Sequence, residues 1–413
     1  MSEIKRGDVL LRVEGLCRYF HGKGGYLNKA VDNVSFDVKK GEVFGLVGES
    51  GCGKTTVGRS IIRIYPPTSG NVYFKGQRIG AGVDSYYDAI RTARKDGARQ
   101  IEALREIPHS KDKIVQLQGQ LTDTVVKYRR EIKSARQDQR HCDRNYAKVL
   151  VKSVDEQYLP LVERANTPEE KAELTQAYHQ ARRRAHHTRL TTQMQMIFQD
   201  PFASLNPRMT VGEIIAEGLV IKGIQDRAHI EEKVREIMET VGLAREHAGR
   251  YPHEFSGGQQ QRIGIARAVI MEPELIIADE PISALDVSIQ AQVINLLGEL
   301  QKKLGLTILF VAHDLSVVKY FSHRIGVMYA GKLVELASSD ELFAHPLHPY
   351  TKSLLSAIPL PDPCLEKRRT RIVYDQSVHD YSADQPTFRE IAPAHLVYCN
   401  DTEAAAYKKE LGL

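Results

Sequence analysis

The 413-residue chain is expected to fold as an α/β protein with a mostly parallel sheet, and three features carry that expectation. Strand and helix text alternate through residues 10–80 and again through 190–340. A glycine-rich loop, residues 48–53, stands between an apolar strand and a helix. A charged, mainly helical segment (85–188) separates the two alternating stretches. Strand–helix alternation is the pattern of parallel sheets, whose strands are buried on both faces.

The elements follow in order. Residues 10–16 and 31–38 alternate apolar and polar like strands. Val43–Val47 is an apolar strand that runs into the glycine loop, and a helix opens near Lys54. Pro66, Pro67 and Gly70 end it, and 71–79 reads as one further strand. From 85 to 188 the breakers are few: Gly97, Pro108, Gly119, Pro160 and Pro168. Apolar residues recur there at three- and four-residue spacing through 113–135 and 145–163, which reads as two or three long surface helices. Strand text resumes at 193–198, and short helices fill 210–250. Helix 257–271, strand 274–279, helix 287–303, strand 306–314, helix 315–323 and strands near 325–336 complete the alternation. The tail from about 340 is proline-rich at first and ends in a short helix, 401–411.

With 42% hydrophobic and 26% charged residues, the chain can bury a sizeable core. Its net charge is +5. Residues 91–190 hold 22 Lys+Arg against 14 Asp+Glu, and the rest hold 35 against 38, so the basic excess lies in the middle segment. A solvated hairpin, or a docking surface for a partner protein or anionic lipid, both suit that segment. Nucleic acid suits it poorly, because no aromatics are interleaved with 181–189. Five cysteines without a CxxC pair argue against a disulfide framework and against structural zinc. Without a signal-type apolar core or an 18-residue apolar run, the chain is expected to be cytoplasmic, docking onto a membrane partner if it works there.

Gly48-Glu49-Ser50-Gly51-Cys52-Gly53-Lys54-Thr55 fits the phosphate-loop pattern, in the required strand–loop–helix setting. Its glycines let successive backbone N–H groups point inward at a phosphate, and the helix start adds a favourable dipole. Gly48, Ser50, Gly51, Gly53, Lys54, Thr55 and Thr56 are the expected nucleotide ligands, with Lys54 on the β- and γ-phosphates and Thr55 on Mg²⁺. Cys52 is either a reactive thiol or a loop position of little consequence. The strand 275–278 ends in Asp279 and Glu280. Asp279 suits the magnesium shell, and Glu280 can orient and polarise the attacking water. His345 and His348, near Asp340 and Glu341, read as a packed tail segment rather than a metal site.

Four further features narrow the class. Ser256-Gly257-Gly258-Gln259 precedes a strong helix and forms a second anion cradle, which makes sense if it serves a nucleotide held by another subunit. Gln199 ends a strand, Ser283–Asp286 follows Pro281, and His313 ends the strand before it, ready to reach a γ-phosphate. These motifs stand in the order found in the ATP-binding subunits of ABC transporters, which the sequence resembles over roughly 10–80 and 190–340, with Phe255 in place of the usual leading Leu. The implied fold is a P-loop NTPase, ABC-type core with a helical subdomain (about 205–265), a mainly helical insertion and a C-terminal extension. The implied parts are 1–84 and 189–340 for the core, 85–188 for the insertion and 341–413 for the extension.

The resemblance implies two such domains paired head to tail. ATP lies between Lys54 of one and Ser256–Gln259 of the other, with Asp286 lining the site. Glu280, His313 and Lys54 are the implied catalytic residues, and Thr55, Gln199 and Asp279 the implied Mg²⁺ ligands. Phe20 resembles the aromatic that stacks on adenine, with Tyr19 as the runner-up; both are equally compatible with core packing. His345–Leu355 and Ala357–Pro359 resemble the tail of dipeptide/oligopeptide/nickel importer ATPases, as do residues 198–211 and 251–262.

That subfamily implies a motor at the cytoplasmic face of the membrane. Its partners are a second, non-identical ATPase, two permease chains and an extracytoplasmic solute-binding protein, with no nucleic acid. Peptide is the expected cargo, with nickel chelates and oligosaccharides open. The alternative is a soluble ABC-type ATPase acting on ribosomes or DNA. The basic insertion is its only support, and a single ATPase core in the chain speaks against the translation type. Cys364 and Cys399 are 35 residues apart, so no iron–sulfur cluster is expected. Lys54 and Gln199 are 145 residues apart, which implies about 100 inserted residues, tolerated if they emerge at a surface.

Overall fold

The structure, a computed structural model, describes residues 7–107, 111–358, 371–382 and 384–413. They form two compact units. One holds described residues 11–37 and 63–191, the other 7–10, 38–62 and 192–413. In chain order the strands are β1 (Val9–His21), β2 (Leu27–Lys39), β3 (Val43–Val47), β4 (Ser69–Phe74), β5 (Gln77–Ala81) and β6 (Met194–Ile197). β7 (Leu275–Asp279), β8 (Thr307–Ala312), β9 (Arg324–Tyr329), β10 (Lys332–Ser338), β11 (Thr387–Ala392) and β12 (His395–Cys399) follow.

The first unit is built on an antiparallel sheet of order β2-β1-β4-β5. Leu11 pairs with Phe74 and Val13 with Val72, and all four side chains are buried. Residues 71–79 are not one strand. Lys75 and Gly76 both take positive φ (52° and 72°), the backbone of a tight hairpin turn, and fold the stretch into β4 and β5.

Three helices complete this unit: α2 (Asp84–Arg105), α3 (Lys111–Arg164) and α4 (Pro168–His187). Three of the expected breakers, Gly97, Gly119 and Pro160, lie inside them, and Pro168 opens α4. Gly97 lies within α2, where a Cβ would meet Leu121 at 3.2 Å, so its small size lets α3 approach. Pro160 falls near the end of the 54-residue α3, which continues to Arg164. Val125, Ile132, Ala135, Cys142 and Tyr146 form a buried stripe along α3 at helical spacing. Its middle therefore packs as core rather than standing wholly in solvent, and α3 runs along β5. Polar bonds add to this: the Arg78 guanidinium donates to Ser134 Oγ (2.9 Å) and to Asp138, and Lys75 Nζ to the Tyr146 hydroxyl (2.8 Å).

The second unit carries an eight-stranded sheet of order β11-β12-β10-β9-β3-β8-β7-β6. β9, β3, β8, β7 and β6 are mutually parallel, and the rest pair antiparallel. β3, β7 and β8 are buried at every position, as central strands of a covered parallel sheet must be. β11 and β12, from the tail, extend one edge of this sheet, where the residues announce only a proline-rich stretch and a short helix.

Register places the site. Val47 lies beside Ala312, Asp279 beside Val311, and Ile197 beside Ala278. The carboxyl ends of four parallel strands thus open side by side, where ligands of such sheets bind. The helices of this unit begin with α1 (Lys54–Ile61), α5 (Pro201–Ser204), α6 (Val211–Ile221), α7 (Arg227–Thr240) and α8 (Gly257–Val269). α9 (Val287–Leu304), α10 (Leu315–Phe321), α11 (Ser339–Ala344), α12 (Pro349–Ser356) and α13 (Asp401–Glu410) complete them. Among the described residues no helix is long and apolar enough to cross a membrane.

Candidate functional site

The loop between β3 and α1 wraps tightly because three glycines allow it. Gly51 and Gly53 take φ of 83° and 107°, where side chains are strained. At Gly48 a Cβ would stand 2.2 Å from the Met328 carbonyl oxygen, so no larger residue fits. Lys54 is buried and folds back over the loop, its Nζ donating to the carbonyls of Gly48 (2.7 Å) and Glu49 (2.9 Å). Ser50 is exposed and Thr56 half-buried. Cys52 is buried with Sγ 3.7 Å from Lys54 Nζ, and burial pushes its thiol up.

Thr55 donates its hydroxyl to Asp279 Oδ1 at 2.7 Å. Asp279 is fully buried. Its Oδ2 accepts no hydrogen bond, and the nearest cation is the Arg59 guanidinium at 3.9 Å. Burial raises this carboxyl above its ordinary range, against the pull of Thr55 and Arg59. A buried carboxylate oxygen with no donor, beside a hydroxyl, is a donor set that suits a hard divalent cation.

Glu280 follows with φ of 43°. Its backbone N–H donates to Val311 O (2.9 Å), and its own carbonyl accepts from the Ser283 hydroxyl (3.1 Å). The carboxylate is the hub of the site. Oε2 accepts from Gln199 Nε2 (3.0 Å) and stands 3.3 Å from His313 Nδ1, and Oε1 lies 3.9 Å from Lys54 Nζ. Lys54, Thr55, Gln199, Asp279, Glu280 and His313 thus converge on one opening. It offers the Lys54 ammonium for an anion, a carboxylate pair, and a polar edge that can hold water.

Other expected site residues lie outside that network. Ser256 caps α8: its hydroxyl accepts from Gln259 N–H (3.4 Å), and Gln259 Oε1 accepts from Ser256 N–H (3.0 Å). A Cβ on Gly258 would meet Ile289 of α9 at 2.6 Å, whereas Gly257 has room. Among the described residues, no hydrogen bond or ion pair joins Ser256–Gln259 to the Glu280 cluster. Asp286 is exposed at the start of α9 and makes no side-chain capping bond. Phe20 belongs to the first unit, edge-on to Tyr65 at 5.5 Å with the Arg18 guanidinium 4.5 Å over its ring. Tyr19 donates its hydroxyl to Asp32 (2.5 Å).

The tail supplies what the motifs did not announce. Tyr350 is buried, and its hydroxyl accepts the Glu49 backbone N–H at 3.1 Å. It lies in the stretch singled out by resemblance, where nothing in the residues marked this contact. His348 caps α12, its Nδ1 accepting from Tyr350 N–H (3.1 Å), and His345 lies 3.3 Å from Glu341. Cys399 is a buried free thiol, pushed up to about 11 by burial, and Cys364 lies outside the described residues.

A family model described as ABC transporter matches residues 31–159 and 161–283. A second, described as oligopeptide/dipeptide transporter, C-terminal region, matches 334–383. The chain is 46% identical to the oligopeptide transport ATP-binding protein OppF of Bacillus subtilis (strain 168), over 97% of this chain and 99% of that protein. It is 42% identical to the oligopeptide transport ATP-binding protein AmiF of Streptococcus pneumoniae serotype 4, over 94% and 95%. It is 40% identical to the dipeptide transport ATP-binding protein DppF of Lactococcus lactis subsp. cremoris, over 95% and 94%. A solved ATP-binding cassette, in a post-hydrolysis dimer with ADP and phosphate, aligns at TM-score 0.49 and 20% identity, covering 80% of this chain and 99% of that one.

Proposed function

The chain belongs to the ABC transporter family of ATP-binding, ATP-hydrolysing proteins, and from that premise we propose that it is the motor subunit of an oligopeptide or dipeptide importer. The observation that carries the mechanism is the Glu280 carboxylate, set between Gln199, His313 and Lys54 beside the Thr55–Asp279 pair. The relatives' names supply the cargo class.

The backbone of Gly48–Gly53, with Ser50 and Thr56, holds the phosphates of ATP, and the α1 N-terminus adds its dipole. Lys54 turns from the loop carbonyls to the β- and γ-phosphate oxygens. Thr55, Asp279 and Gln199 would hold Mg²⁺, which when bound neutralises phosphate charge. Asp279 Oδ2, buried without a donor, supports that fit. Glu280 orients the attacking water and takes up its proton, and His313 holds the γ-phosphate edge. Phe20 stacks on adenine. Ser256, Gly257, Gly258 and Gln259, with the dipole of α8 behind them and Asp286 nearby, close over the nucleotide of a second ATPase subunit. Their separation from this chain's own Glu280 cluster supports such a head-to-tail pair.

The parts are a core from 1–84 and 189–340 with a helical subdomain near 205–265, an insertion (85–188) and an extension (341–413). The chain works at the cytoplasmic face of the membrane. It is held there by two permease chains, beside a second, non-identical ATPase and an extracytoplasmic solute-binding protein. Affinity purification of the tagged chain from detergent-solubilised membranes tests this. Two membrane-spanning chains and a second ATPase are expected as stoichiometric partners. Recovery with ribosomes or DNA and without a membrane chain contradicts it.

A further inference from the structure

We infer that Tyr350 of the C-terminal extension is a positioning residue for the phosphate loop, its hydroxyl holding the Gly48–Glu49 peptide in the orientation that receives nucleotide. The inference rests on the reading of residues 48–55 as the ATP phosphate site.

The Gly48–Glu49 peptide unit is pinned from both sides. Its carbonyl, on Gly48, accepts from Lys54 Nζ at 2.7 Å. Its N–H, on Glu49, donates to the Tyr350 hydroxyl at 3.1 Å. When Lys54 turns to phosphate oxygens, the carbonyl side is released. Tyr350 then remains as the anchor on that peptide. Gly48, with no Cβ and a positive φ of 157°, offers little resistance to a peptide flip, so an external anchor matters here. The other end of the loop has its own brace, with Gly331 N–H donating to Cys52 O at 3.0 Å.

Tyr350 is itself held rigidly. Its side chain is buried, with the Tyr329 ring centroid 4.4 Å away and the Tyr374 ring at 5.5 Å. Its backbone N–H is fixed by His348 Nδ1, and His348 N–H donates to the fully buried Glu335 (3.1 Å). Burial holds His348 down to about 3, so Nδ1 stays an acceptor. Burial also raises the Tyr350 phenol, which stays protonated. The ring serves packing, whereas the oxygen serves the loop. Those two roles separate experimentally.

The test is a titration of the purified full-length chain with mant-ADP, for the wild type, Tyr350→Phe, Tyr374→Phe and Lys54→Ala. Tyr350→Phe keeps the ring and removes the oxygen. A loop without its anchor must be ordered on binding, so affinity is expected to fall about threefold to tenfold, the size of one hydrogen bond. In steady-state ATP hydrolysis the KM rises in step while kcat stays within about twofold, because bound nucleotide restores the loop. The nucleotide-free melting temperature moves by less than about 2 °C. Tyr374→Phe binds like the wild type. Unchanged mant-ADP affinity in Tyr350→Phe overturns the inference, as does equal weakening in Tyr374→Phe. If Lys54→Ala also binds like the wild type, it is the phosphate-site reading that has failed, and the inference falls with it.

Discussion

Glu280 takes a left-handed backbone (φ 43°), a conformation that costs a non-glycine residue about 1 kcal/mol or more. The surroundings over-determine it. Val311 O receives its N–H, the Ser283 hydroxyl donates to its carbonyl, and Gln199 and His313 flank its carboxylate. Strain of this kind is held where geometry serves function. The residues of this cluster were legible because a phosphate loop, an apolar strand ending in two carboxylates and a strand-end histidine are local patterns. Tyr350 was not, because its partner lies 301 positions away in sequence. A second titratable group makes its own prediction. Burial and the charge of His379 hold His348 near 3, against an ordinary 6.5. Between those values the unfolded chain binds the extra proton, so stability rises with pH and is lost as pH falls from about 6.5. The loss is about 1.4 kcal/mol per pH unit at most. Thermal melts between pH 7 and pH 5 check it: His348→Gln is expected to show a shallower decline than the wild type.

At the level of elements, the central strands announced themselves because burial on both faces writes an unbroken apolar run, as in β3, β7 and β8. The β4–β5 hairpin hid behind its turn. Lys75-Gly76 lacks the usual Asn-Gly signature, and Lys75 adopts positive φ while its ammonium donates to Tyr146. β11 and β12 are short strands joined by a different two-residue turn, Pro393-Ala394, in which only Ala394 takes positive φ (59°). Along α3, charged residues dominate the composition, yet the stripe from Val125 to Tyr146 is core. Arg78 joins that helix to β5 through Ser134 and Asp138, and its side chain is only 11% exposed. Arg78→Ala is therefore expected to cost about 1–2 kcal/mol. Hydrogen exchange locates the effect: amides between 125 and 146 should exchange faster, with β3 and β8 unchanged. Uniform acceleration across both units would point to a global effect instead.

For the whole molecule, the +5 net charge divides into an excess of +8 within residues 91–190 and −3 elsewhere. The motor chemistry proposed here comes from the part with slight negative balance, and the basic part is built around the long helices. The family was readable because each motif keeps its place in family order. How much of residues 85–188 packs as core was not, since a stripe of five residues is easily lost among 54 in one helix. The C-terminal region carries more than a resemblance: it adds β12 and β11 at one edge of the sheet and reaches the phosphate loop through Tyr350. In the proposed function, ATP turnover at Glu280 drives peptide import. Reconstitution of the purified complex in proteoliposomes, with labelled oligopeptide uptake and phosphate release measured together, tests it most directly. The wild type is expected to take up peptide only with ATP, and Glu280→Gln to bind ATP yet lose both activities by about 100-fold or more. Phosphate release and uptake in Glu280→Gln at the wild-type rate would contradict the account, as would uptake independent of ATP.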